Sequence, residues 1–134
     1  MAGDYRAITH DIAVTVRPFY LADQSDPEQG RWVWAYRVRI ENQGKDTVQL
    51  LRRTWRITDA HGRVQTVHGD GVVGEQPTLE PGEAFAYTSG TPLETPSGIM
   101  QGQYHMVRTL SGEPFDVEIP AFSLDCPQAK RVLN

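Results

Sequence analysis

Residues Gly69-Asp70-Gly71-Val72-Val73-Gly74 spell G-x-G-x-x-G. In a dinucleotide-binding fold, that spacing lets the backbone approach a pyrophosphate while the next helix aims its free N–H groups at the phosphates. Here Pro77, Pro81 and Gly82 follow too soon for such a helix, and no βαβ unit surrounds the motif. Narrower chemistry is left to it. Successive backbone N–H groups can form an anion-binding nest without a helix, although Asp70 and Glu75 would repel phosphate unless a cation intervened. Alternatively, Gly69, Gly71 and Gly74 supply positive φ angles for a tight crossing, with Val72 and Val73 as anchors. The stretch Gly69, Asp70, Gly71, Val72, Val73, Gly74 and Glu75 is therefore the candidate ligand or partner loop, and the steric reading of its glycines leads.

Metal chemistry has a thinner basis. His68 and Asp70 stand at i and i+2, on one side of a strand if the strand before the loop continues, and His61 or Glu75 would have to complete the set. The four histidines, His10, His61, His68 and His105, show no paired ligand spacing, and no carboxylate-rich loop suits magnesium or calcium. No cofactor is firmly implied; a divalent cation or pyrophosphate at the loop stays open. Cys126 lies beside Pro127 near an expected frayed end, without an identifiable activating base, and no serine sits in a strand-turn-helix elbow. Catalysis is not expected.

Arginine outnumbers lysine, whose only representatives are Lys45 and Lys130. Arg31, Arg37 and Arg39 share one face of a strand. If the strand carrying Arg52, Arg53 and Arg56 lies beside it, the two form a basic patch suited to carboxylate or phosphate contacts. A solvated face with cross-strand partners such as Glu41 is the plainer expectation.

The elements that position these groups have a period of two. From Arg31 to Asn42, Trp32, Trp34, Tyr36, Val38 and Ile40 fall on one side and the charged residues on the other. Ile12, Val14 and Val16 alternate likewise before Pro18, which is expected to end the strand or confine it to an edge. Val48 and Leu50 occupy even positions, whereas Leu51, Trp55 and Ile57 occupy odd ones, so the phase flips at Leu50-Leu51 and predicts a β-bulge there. Turn chemistry at Asp59 to Gly62, Glu80 to Glu83 and Ser111 to Pro114 separates further alternating runs. The expectation is an all-β sandwich of about seven or eight short strands, with a closed barrel as the alternative.

A length of 134 residues, with 39% apolar and 22% charged residues, fits one domain. Its core is expected over about 5–126, with short flexible tails. A net charge of −4 argues against nucleic-acid binding, and no stretch has the apolar length for membrane insertion. One cysteine and the lack of a signal-like start point to the cytoplasm. An exposed edge strand leaves a homodimer open.

Three blocks resemble the bacterial ApaG family: Gly30 to Asn42, Leu50 to Thr58, and Gly69 to Pro77 followed by Leu79-Glu80-Pro81-Gly82. Tyr87 to Gly90, Gly98 to Tyr104 and Ile119 to Phe122 extend the likeness over roughly Tyr5 to Cys126. The resemblance implies an immunoglobulin-like or fibronectin type III-like sandwich of two antiparallel sheets. It also implies an association with cobalt resistance and magnesium efflux, and a protein-binding role with an unidentified protein partner.

Overall fold

A computed structural model describes residues 4–127; the tails expected to be flexible fall mostly outside this range. Among the described residues nine strands run in chain order: β1 (Tyr5–Thr9), β2 (Ile12–Tyr20), β3 (Trp32–Asn42), β4 (Val48–Asp59), β5 (Val64–Asp70), β6 (Thr78–Leu79), β7 (Ala84–Leu93), β8 (Ser97–Arg108) and β9 (Pro114–Asp125). One sheet has the order β1-β2-β3-β7, the other β5-β4-β8-β9, with β6 also on β4. Every strand pair is antiparallel. This is the expected sandwich, and the barrel alternative falls away. Short 3-10 turns at Ala22–Gln24 and Pro27–Gln29 interrupt the polar loop before β3, and no helix among the described residues is long and apolar enough to cross a membrane.

The two strands without a counterpart among the alternating runs of the sequence are β1 and β6. β1 joins β2 through a two-residue turn, His10-Asp11, with both residues at positive φ (50° and 64°) and Thr9 opposite Ile12. Positive φ at both central positions matches the right-handed twist of a hairpin, and Asn-Gly or Asp-Gly is its usual sequence mark. Here no glycine announces it. Pro18 does not end β2, which continues to Tyr20. β1 pairs only as far as Val16, so Pro18 lies where β2 has become an edge.

Alternation delivers the core. Val14, Val16, Val38, Ile40 and Trp34 from the first sheet meet Leu50, Trp55, Tyr104, Val117 and Phe122 from the second. Tyr36, Trp55 and Phe122 pack ring against ring with centroids 5.4 to 5.9 Å apart, and the Trp34 indole N–H donates to the Asp125 carbonyl at 2.9 Å. Offset and edge-on aromatic contacts of this kind add to simple burial. Trp32 packs against this core partly buried. Cys126 is buried at the end of β9 rather than frayed.

Between β3 and β4 the chain changes sheets. Asn42, only 1% exposed, organises the crossing. Its Nδ2 donates to the carbonyls of Asp46 (2.8 Å) and Leu79 (3.0 Å), while its Oδ1 accepts from the Gly44 N–H (2.9 Å). A buried amide so fully satisfied fixes chain direction where no ladder does.

Candidate functional site

The predicted bulge is present: the register of β4 on β8 shifts between Leu50 and Arg52, leaving Leu51 as the extra residue. β5 and β6 line the same side of β4, one beyond the bulge and one before it. The glycine-rich segment is the excursion between them. At its base the Gly71 N–H donates to the Leu51 carbonyl (2.8 Å), Gln76 Nε2 donates to the same oxygen (2.9 Å), and the Leu50 N–H donates to Pro77 O (3.0 Å). A bulged residue loses its ladder partners, and the loop supplies replacements. The phase flip at Leu50-Leu51 and the G-x-G-x-x-G motif are thus one structural feature.

The tip closes as a second two-residue hairpin turn. Val72 N–H donates to Glu75 O (2.8 Å) and Glu75 N–H to Val72 O (2.9 Å), with Val73 at φ 42° and Gly74 at φ 82°. Gly71 also has positive φ, at 61°. Two of the three glycines act as expected; Gly69 does not, because it lies within β5 without a positive φ and makes room for Arg53. The two valines also part company. Val72, 1% exposed, anchors the loop in the core, whereas Val73, 53% exposed, stands at the apex. A β-branched residue in the left-handed region is strained.

Arg53 shares its phase with Trp55 and so points inward. Its Nη1 donates to the carbonyls of Asp70 (3.0 Å) and Gly71 (2.7 Å), tying the loop to β4. Nearby, the hydroxyls of Tyr87 and Tyr104 bond to each other at 2.5 Å inside the core. Burial pushes both phenols above the ordinary tyrosine value, against which the Arg53 charge acts weakly. Tyr36 is raised too, again chiefly by burial.

The outer face of the second sheet carries a polar chain that single-sequence reasoning missed. Thr54 Oγ1 lies 2.7 Å from His105 Nε2 and 3.1 Å from His68 Nδ1, and His105 Nδ1 lies 2.8 Å from Asp116 Oδ1. These residues come from β4, β8, β5 and β9 in turn, and their spacing in sequence bears no relation to that order. A depression of about 330 Å³ opens beside them, lined by Arg52, Arg53, Thr54, His68, Gly69, Asp70 and His105.

The basic patch is smaller than expected. β3 and β4 belong to different sheets, so Arg37 and Arg39 face outward on one side of the sandwich while Arg52 and Arg56 do so on the other, and Arg53 is turned inward. Arg31 precedes β3 in an isolated bridge with Asp26. Arg37 stands opposite Arg17, whose own guanidinium bonds Asp4 at 2.6 Å, and Arg39 reaches Glu41 only at 3.9 Å.

His68 and Asp70 do share an outward face at the end of β5, but His61 sits in the turn at the strand's opposite end. Among the described residues no three metal-ligating side chains come together.

A family model described as the ApaG domain matches residues 22–108, which include β3 to β8 and the whole loop. The chain belongs to the ApaG family. The ApaG protein of Rhodospirillum centenum is 67% identical over 126 residues, covering 94% of this chain and 96% of that one. Its counterpart from Paramagnetospirillum magneticum is 65% identical, covering 97% of this chain and 99% of the relative. Among solved structures, a Bordetella pertussis protein designated ApaA superposes with a TM-score of 0.84 at 51% identity, covering 91% of this chain and 98% of that one. The residues matched to the ApaG domain hold both the β4 bulge and the loop seated on it.

Proposed function

We propose that this ApaG-family chain is a non-enzymatic, cytoplasmic interaction module that docks a protein partner through the apex of the Gly69 to Glu75 loop. On this reading, the family's link to cobalt resistance and magnesium efflux runs through that partner rather than through direct metal contact. One observation carries it. Val73 holds an exposed apolar side chain at a strained backbone angle, on a turn closed by two backbone hydrogen bonds and fixed below by Val72 and Arg53. Rigid apolar groups lose little entropy on docking, and strain concentrates where function requires a geometry.

Pyrophosphate, nucleotide or cation binding at the same loop has less support. The N–H groups of Gly71, Val72 and Glu75 are already spent on Leu51, Glu75 and Val72. A nest needs successive N–H groups free to converge.

The test is complementation of cobalt tolerance in a bacterium lacking its own ApaG protein. The unchanged chain should restore growth, and Val73→Asp, folded and equally abundant, should not. Full rescue by Val73→Asp would remove the apex from the account. Saturable cobalt binding by the isolated protein would remove the indirect role.

A further inference from the structure

We propose that the outer face of β5-β4-β8-β9 carries a binding site for a phosphate dianion, built on Arg52 and His68 and set by the Thr54–His105–Asp116 chain. The hydrogen-bond directions follow from donor and acceptor inventories. A carboxylate only accepts, so His105 Nδ1 carries the hydrogen shared with Asp116, and in the neutral ring His105 Nε2 is left as an acceptor. The Thr54 hydroxyl must therefore give its single hydrogen to His105. Its oxygen can then only accept from His68, whose Nδ1 carries a hydrogen. The open position that remains is the outward His68 Nε2.

Arg52 supplies the fixed charge. It is two residues from Thr54 on the same face, with His105 directly opposite on β8 and Asp70 directly opposite on β5. His68, opposite Thr54, is then its diagonal neighbour, within reach of a long side chain. No ion pair or hydrogen bond occupies the Arg52 guanidinium among the described residues. The depression between Arg52, Thr54, His68 and His105 has room for a tetrahedral oxyanion, which a planar guanidinium grips through paired donors.

The other charged groups on this face set the balance. Arg56 flanks Thr54 on β4, Asp70 closes β5, and Asp116 is engaged by His105, while Glu118 accepts from Gln103. Asp70 is the local opponent. When an anion reaches His68, its ring must hold hydrogen on both nitrogens, one toward Thr54 and one toward the anion. Binding to the neutral His68 ring therefore takes up a proton. This site lies on the sheet, apart from the Val73 apex, and fails or stands independently of the docking role.

Calorimetric titration of the full chain in phosphate-free buffers of differing ionisation enthalpy tests this, with inorganic phosphate in one arm and a phosphoserine peptide in the other. Saturable binding with proton uptake is expected, and the tighter arm identifies the source as a free phosphate or a phosphorylated side chain. Arg52→Gln and His68→Gln should each weaken binding about tenfold or more, and Asp70→Asn should tighten it. Thr54→Val should retain binding but lose the proton uptake, an effect that a merely structural role for Thr54 would not produce. No saturation in either arm, or unchanged affinity in both Arg52→Gln and His68→Gln, would overturn the proposal.

Discussion

The Arg53 guanidinium lies directly over Gly69: a Cβ built on that glycine would stand 2.8 Å from the guanidinium carbon and from both terminal nitrogens. From that position Arg53 reaches the Asp70 and Gly71 carbonyls. The first glycine of the motif is therefore a clearance for a side chain that fastens the loop, not a contact point for a phosphate.

The three motif glycines should differ in cost when replaced by alanine. At Gly71 a new Cβ would meet the Glu75 carbonyl oxygen at 2.2 Å, in a backbone with φ of 61°. Rigid backbone cannot yield, so a loss of roughly 2 kcal/mol or more is expected. Gly69→Ala displaces a side-chain terminus that must give up its hydrogen bonds, and should cost less. Gly74 has open space around it, leaving only the left-handed angle, about 1 kcal/mol. Urea denaturation should return that order; a Gly74 substitution costing most would refute this reading of the loop.

Val73→Asn should stabilise the protein by about 0.5 to 1 kcal/mol, because asparagine tolerates the left-handed region that a β-branched side chain resists. The gain should appear as a higher melting temperature. If the family function falls at the same time, strain has been retained for the sake of the apolar apex.

Tyr104→Phe should destabilise by about 1 to 2 kcal/mol, since it strands the Tyr87 hydroxyl in the core. Replacing both tyrosines by phenylalanine should cost less than the sum of the single changes. The folded state holds both phenols protonated beyond the ordinary value of 10.0. Their raised values contribute stability that is complete below that pH and is lost progressively as pH rises above it. Ultraviolet titration should therefore show these two rings ionising only with unfolding.

How much of this was legible in the sequence depended on the range of each signal. The alternation in Trp32 to Ile40 and the phase flip at Leu50-Leu51 are local, and both became structure: a central strand and a bulge. The His10-Asp11 turn is hidden because its residues adopt positive φ without the glycine that marks such hairpins, and β1 is hidden with it. Pairing Arg37 and Arg39 with Arg52 and Arg56 assumed that consecutive strands are neighbours, but the Asn42 crossing sends β4 to the other sheet. The same flip that revealed the bulge also placed Arg53 in phase with Trp55, an inward position that could have been read. Nothing local could assemble Thr54, His68, His105 and Asp116, which meet only through the order of four strands.

Amide NMR offers a separate check on the loop. Titration with pyrophosphate, ATP, magnesium and cobalt to millimolar concentration should leave the Val73 and Gly74 amides unmoved. Shifts confined to Arg52, Thr54, His68 and His105 would be compatible with the outer-face site. Saturable shifts at the apex would restore the loop as a ligand cradle.

The docking role of Val73 is tested most directly by contact in the cell. A photo-crosslinking residue at position 73 should yield an adduct of defined mass, and the same residue at Leu110, an apolar position 98% exposed on the β8 to β9 hairpin, should not. Adducts that are identical at both positions, or no adduct at 73 in folded protein, would contradict docking through the apex.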